Sequence, residues 1–322
     1  MNLKKAGKII GIIIGGIVAL ALAVILLFVI VKNIGKHFVY KEYYSIYEKE
    51  GHIPGLNAGF VPQGFTYNKD NDSFIIAGYM GNGKASRIYV TPRKSRKSIH
   101  FEMTSGGQPF FGHTGGIQYC DGKLYLANEG IGVFEFDASL ADKSNASGKV
   151  EIGQPISVNN HSSFVFSDDK YIYVGEFNNS KEYTCENVIT FNGVTHKAIV
   201  SKYAKGNLGK PLAVYSIPDL AQGVCFTADG TMMISTSYGV NPSHFLIYKP
   251  DAVIDTKQTY DGAPLFFADV PSKDLMAPQM SEDLDLVDGK PATVTESACN
   301  KYFFGKLYFA NKIYSMDIGK LN

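Results

Sequence analysis

The chain divides by its hydrophobic pattern. From Ile9 to Val31 it runs without a charge, long enough at helical rise to cross a hydrocarbon core of about 30 Å. Beyond that run the pattern changes to short apolar stretches separated by Gly, Asn, Asp and Pro, which is strand-and-turn chemistry. The clearest unit is Leu220 to Tyr248, with strands at Val224 to Thr227, Met232 to Ser237 and Phe245 to Tyr248. Ala228-Asp229-Gly230 and Asn241-Pro242 supply the turns. Its opening, Ala221-Gln222-Gly223-Val224-Cys225-Phe226, aligns with segments starting at Pro62, Thr114, His161 and Ser281. The third column reads Gly64, Gly116, Ser163, Gly223 and Asp283, spaced by 52, 47, 60 and 60 residues.

Each opening is followed by a polar turn and a second strand: Phe74 to Ala77, Leu124 to Ala127, Tyr171 to Val174, Met232 to Ser235 and Ala292 to Thr295. Third strands fall at Arg87 to Val90, Val133 to Phe136, Phe245 to Tyr248 and Ile313 to Met316. Fourth strands are expected at Ile99 to Glu102, Val150 to Ile152, Ala213 to Ile217 and Leu265 to Asp269, and Asn178 to Val200 is an insertion in the third repeat. Such a repeat predicts an all-β, five-bladed β-propeller, with six blades as the alternative, preceded by one transmembrane helix. The last repeat lacks a fourth strand, so an N-terminal segment should close the ring. His37 to Tyr47 is one candidate; the alternative is a helical linker over Tyr40 to Glu50.

The organisation expected is therefore a short cytoplasmic tail at 1–8, a signal anchor at 9–31, a linker with a possible closing strand at 32–58 and the propeller at 59–322. Lysines flank the span on both sides, so charge alone leaves orientation balanced. The basic tail and the lack of a cleavage site favour an uncleaved anchor, with the C-terminal domain extracytoplasmic in a single-pass membrane protein. Gly7, Gly11 and Gly15 at G-x-x-x-G spacing would permit dimerisation of the helix.

Composition adds little to this. A formal net charge of +1 gives no electrostatic argument for nucleic acid. The basic run Arg93 to Lys97 reads as a solvated hairpin tip. Cys225 and Cys299, in neighbouring repeats, could form a disulfide or remain buried thiols.

In a propeller the starts of first strands and the ends of second strands meet at one channel mouth. The starts contribute Gln63, His113, His161, Gln222, Glu282 and Asp283; the ends contribute Tyr79, Glu129, Glu176, Tyr238 and Glu296. So many carboxylates near two histidines call for a partner, and a divalent cation is the simplest one. The sequence has no G-x-S-x-G, no H-E-x-x-H and no phosphate-cradling loop.

The motifs PQGFTY, AQGVCF, STSYG, APQMSEDL and TESACNKY together resemble a group of exported, membrane-anchored bacterial proteins with propeller-type repeats. More distantly, Phe60-Val61-Pro62-Gln63-Gly64 is similar to the F-T-Q-G opening of the five-bladed glutaminyl cyclases, which form pyroglutamate at peptide N-termini. That likeness implies a channel carboxylate at the second opening. Here the matching stretch Phe111-Gly112-His113-Thr114-Gly115-Gly116 has none, though His113 is a possible base, and the chain contains no Trp to line a substrate pocket. The expected function is binding of a ligand or envelope partner, such as a small molecule, peptide or glycan, at the mouth. The alternative is a channel-site enzyme: a metal-assisted, lactonase-like hydrolase or a divergent cyclase.

Overall fold

A computed structural model describes residues 3–306, 308 and 310–321. Met1, Asn2 and Asn322, the ends of the expected tail and propeller, lie outside the described residues. Five sheets, each built on an antiparallel blade, carry the repeats, so the fold is a five-bladed propeller. Blade one is Phe60–Asn68, Ser73–Met80, Arg87–Pro92 and Ile99–Ser105. Blade two is Gly116–Cys120, Lys123–Asn128, Gly132–Asp137 and the short Pro155–Ile156. Blade three is Phe164–Ser167, Tyr171–Gly175, Ala198–Ala204 and Ala213–Ile217. Blade four is Ala221–Phe226, Met232–Thr236, Ser243–Tyr248 and Lys273–Ala277. Blade five, Ser281–Val287, Lys290–Thr295 and Lys312–Met316, takes its outer strand from Tyr47–His52 near the other end of the chain.

Two expected fourth strands pair elsewhere. Gly148–Glu151, which covers most of the stretch expected to finish blade two, instead adds in parallel to the outer strand of blade one. There Val150 and Ile152 bury against Phe101 and Met103. Ala263–Ala268, expected to finish blade four, pairs in parallel with the outer strand of blade three and makes a hairpin with Val253–Tyr260. The insertion in repeat three contains the hairpin Ile189–Phe191 with Val194–His196 and ends where the strand begins at Ala198. Outer edges of two blades are thus covered by strands from later in the chain, which leaves less unpaired edge.

The opening column has a backbone explanation. A Cβ on Gly64 would sit 2.6 Å from the Ile117 amide nitrogen, one on Gly116 2.6 Å from that of Val165, and one on Gly223 2.6 Å from that of Leu284. Innermost strands therefore approach main chain to main chain around the axis, which only glycine permits. Where the column holds Asp283, the side chain enters the channel and accepts the amide N–H groups of Phe65 and Ile117, each at 3.2 Å. One residue thereby ties blade five to blades one and two.

Helix α1 (Leu3–Val39) leads through Tyr40 into α2 (Lys41–Ile46). Over Lys5–Val39 it is apolar and long enough to cross a membrane. Helix α2 buries Tyr43 and Ile46 in the cluster formed by blades three to five, with Tyr43 stacked on Phe245 at 6.1 Å. The two N-terminal expectations thus divide: His37 to Ile46 is helical apart from a turn at Tyr40, and ring closure begins at Tyr47. Arg93, expected at a solvated hairpin tip, is tied to this closure. Its guanidinium bonds Glu50 of the closing strand at 2.6 Å and Asp288 of blade five at 2.8 Å. All four cysteines are buried free thiols.

Candidate ligand site at the channel mouth

Bulges aim the polar side chains. In blade one Pro62 faces Gly78 and Gly64 faces Ala77, so Gln63 is the extra residue; in blade four Gln222 is extra in the same way. In blade five the pair Glu282-Asp283 occupies the irregular step between Ser281 and Leu284. A bulge re-aims a side chain that regular alternation would send elsewhere, and here it places Gln63, Gln222 and Glu282 around one cavity.

That cavity, of about 620 Å³, is lined by eight of the eleven expected site residues: Gln63, Tyr79, His113, Glu129, Gln222, Tyr238, Glu282 and Glu296. Its centre is a polar relay. His113 Nε2 lies 2.5 Å from Gln63 Oε1, and Gln63 Nε2 donates to Glu296 Oε2 at 2.9 Å. With Gln63 oriented to donate to both Glu296 and the Pro62 carbonyl, His113 Nε2 carries the proton and donates to Gln63. The ring is open to the cavity, yet the surrounding protein desolvates it, and Lys301 adds a like charge, so its pKa is lowered. His113 is therefore neutral and a weaker base than a free histidine.

The carboxyls shift the other way. Burial pushes Glu296 up to about 7, against the pull of Tyr302, Lys301 and Gln63. Burial also holds Glu282 well above the usual carboxyl range, and the neighbouring Glu296 charge adds to that rise. Among the described residues the Glu282 carboxyl has no hydrogen-bond partner and borders the cavity. Across the mouth Glu129 is raised to about 7 by desolvation, although it accepts the Ser163 hydroxyl. The wall between is aromatic: Tyr79 packs edge-on against His113 at 5.0 Å and accepts from Lys301 Nζ at 2.5 Å.

Three expected residues lie off the cavity wall. His161 is exposed beside Glu129, its Nδ1 3.9 Å from the carboxylate. Glu176 is wholly buried and accepts the backbone amides of His161 and Ile199 and the side-chain amide of Asn187, so it ties the blade-three insertion to the strand that follows it. Asp283 lies in the channel interior as described. Below it Asp285 accepts the Thr66 hydroxyl and the Tyr67 amide, both at 2.7 Å. Burial raises Asp285 to about 6.

The structure adds Lys301 and Tyr302 to the wall, both within the TESACNKY stretch and both on the loop between the second and third strands of blade five. Among the described residues no three His, Cys, Asp or Glu side chains come together as a metal-binding set. The opposite channel mouth holds a second cavity of about 600 Å³, lined by turn residues such as Lys69, Asp121, Asp168 and Lys205.

No protein-family model and no curated protein matches the chain. It is similar in fold to the PQQ-bound form of aldose sugar dehydrogenase from Streptomyces coelicolor, with 12% identity, 77% of this chain and 78% of that one covered, and a TM-score of 0.44. Glutaminyl cyclase from Myxococcus xanthus matches at 8% identity over 84% and 94% of the two chains, with a TM-score of 0.41. The WD40 β-propeller domain of Doa1 matches at 8% identity over 85% and 90%, with a TM-score of 0.41.

Proposed function

We propose that this chain is a membrane-anchored, extracytoplasmic propeller that binds a ligand carrying a protonated amine at its channel mouth. One observation carries the reading: Glu282, Glu296 and Glu129, all raised by burial, surround a cavity walled by Tyr79 and Tyr302. Burial favours the protonated form of these carboxyls. An ammonium group would replace the protons and gain charge-assisted hydrogen bonds, beside the Tyr79 and Tyr302 rings that Lys301 Nζ already faces at 4.9 and 5.3 Å. The end of a peptide, an amino sugar of a glycan and a small amine all offer that group. Anchoring rests on the apolar α1, whose C-terminal continuation is built into the domain core.

A thermal-shift comparison tests the ligand class, using the full chain in detergent with glucosamine and tetra-alanine, each against its N-acetylated form. The free amines raise Tm and the acetylated forms do not, and Glu282→Gln removes the difference. Equal shifts from both forms, or none from either, would contradict the reading.

A second reading, a channel-site enzyme, is favoured by the Glu282–Glu296 pair. Two interacting carboxyls tend to split into one acid and one base, the division that proton-transfer catalysis uses. The metal-free form of that reading is kept, since no three-residue ligand set is found among the described residues. It predicts a pH–rate profile that loses its basic limb in Glu282→Gln.

A further inference from the structure

We infer that the mouth face of the propeller is its membrane-facing side: its rim docks on the lipid surface that α1 enters, and the cavity opens onto lipid headgroups. The inference rests on the anchored reading of α1 given above, and three observations carry it.

The first is where α1 meets the domain. Lys36 Nζ donates to the Tyr308 carbonyl at 2.7 Å, and Tyr308 belongs to the same loop that places Lys301 and Tyr302 on the cavity wall. From there the chain runs away from the mouth. Ile46 accepts the Asp317 amide, and Glu48 pairs with Lys290 at the turn on the opposite side of blade five. Followed back toward its N-terminus, α1 therefore leaves the protein on the mouth side. The apolar run ends at Val31, and the five residues to Lys36 rise only about 7.5 Å, so the rim stands within a headgroup layer's depth of the span.

The second observation is the exposure of the helix between these points. Ile34, Phe38 and Val39 lie beyond the uncharged run but are 57%, 77% and 58% exposed, with Lys32 exposed among them. Apolar side chains interleaved with lysine suit the membrane interface. They carry the lipid-compatible surface down to the loop at the cavity.

The third is the rim. Phe111 borders the cavity and is 63% exposed; Ile131, two residues beyond Glu129, is 51% exposed; Val240, beside the lining residue Gly239, is 79% exposed. They come from the connection between blades one and two and from loops of blades two and four, and each is more exposed than Leu140 and Leu212 at the opposite end of the blades, both 47%. A bilayer surface accepts all three together.

The test uses the full chain in nanodiscs of phosphatidylglycerol and phosphatidylethanolamine, with and without a headgroup-nitroxide lipid. Bimane is attached at Val240→Cys on the rim or at Asp169→Cys on the opposite face; both positions are exposed, and the native thiols are buried. Bimane at residue 240 is expected to be quenched several-fold more strongly than bimane at residue 169. Equal quenching, or stronger quenching at residue 169, would overturn the docking. Quenching does not depend on what the cavity binds: rim-selective quenching with no amine response would retire the amine reading alone, and an amine response without rim-selective quenching would retire the docking alone.

Discussion

Replacing Glu129 by Gln should stabilise the protein, and more so as pH rises. The folded carboxyl titrates at about 7 and the free group at 4.5, because desolvation at the mouth disfavours the charge. Below about pH 4.5 both folded and unfolded chains hold the proton, and the site costs nothing. As pH rises towards 7 the unfolded chain gives up the proton while the folded chain keeps it, so stability falls; above 7 the full penalty is in place. A gap of about 2.5 in pKa corresponds to about 3 kcal/mol. For a domain of about 280 residues, at about 2.1 cal/mol/K of unfolding entropy per residue, that is about 5 °C in Tm. Glu129→Gln keeps an acceptor for the Ser163 hydroxyl and removes the ionisation. Scanning calorimetry of both proteins at about pH 4.5 and about pH 8.5 should show the Tm difference, variant minus wild type, larger by about 5 °C at the higher pH. A difference that is the same at both pH values would refute the claim that burial at the mouth holds this proton.

Other outcomes follow from the packing. Gly223→Ala sets a methyl 2.6 Å from the Leu284 nitrogen and 2.8 Å from the Asp283 Cα, neither of which can yield. It should cost about 3 kcal/mol in urea unfolding. Gly148→Ala, with its nearest atom at 3.9 Å, should stay within about 0.5 kcal/mol. Arg93→Ala leaves Glu50 buried at the ring closure without its cation and should cost about 2 kcal/mol. Arg93→Lys should recover only part of that, because an ammonium cannot match the guanidinium fork that reaches Glu50 and Asp288 together; full recovery by lysine would show that charge alone holds the closure.

The inner half of each blade was legible because its constraints are local. The Gly64, Gly116 and Gly223 column marks main-chain contact, and the bulged Gln63, Gln222 and Glu282 sit one place before the column residues Gly64, Gly223 and Asp283. Outer strands are different. Val150 and Leu265 show the apolar alternation of a strand but nothing that chooses the partner, and both found the neighbouring blade. Glu176 reads as a mouth residue by position, yet Asn187 of the insertion and the Ile199 amide of the strand after it both donate to the carboxyl and draw it inward. Lys301 and Tyr302 come from a loop with no strand period to place them, and only the folded chain brings them beside Tyr79 and Glu296. Asp285, a period-two neighbour of Asp283, could have been found by continuing that alternation down the channel.

The most direct test of the mouth as an amine site is a count of protons. Titrating glucosamine into the full chain at about pH 6 by calorimetry, in two buffers of different ionisation enthalpy, measures protons released per ligand bound. Carboxyls that burial keeps protonated must release those protons to the buffer when an ammonium binds beside them, so the account predicts net release that falls in Glu296→Gln and Glu282→Gln. Binding with no proton release, or with release unchanged in both variants, would contradict it.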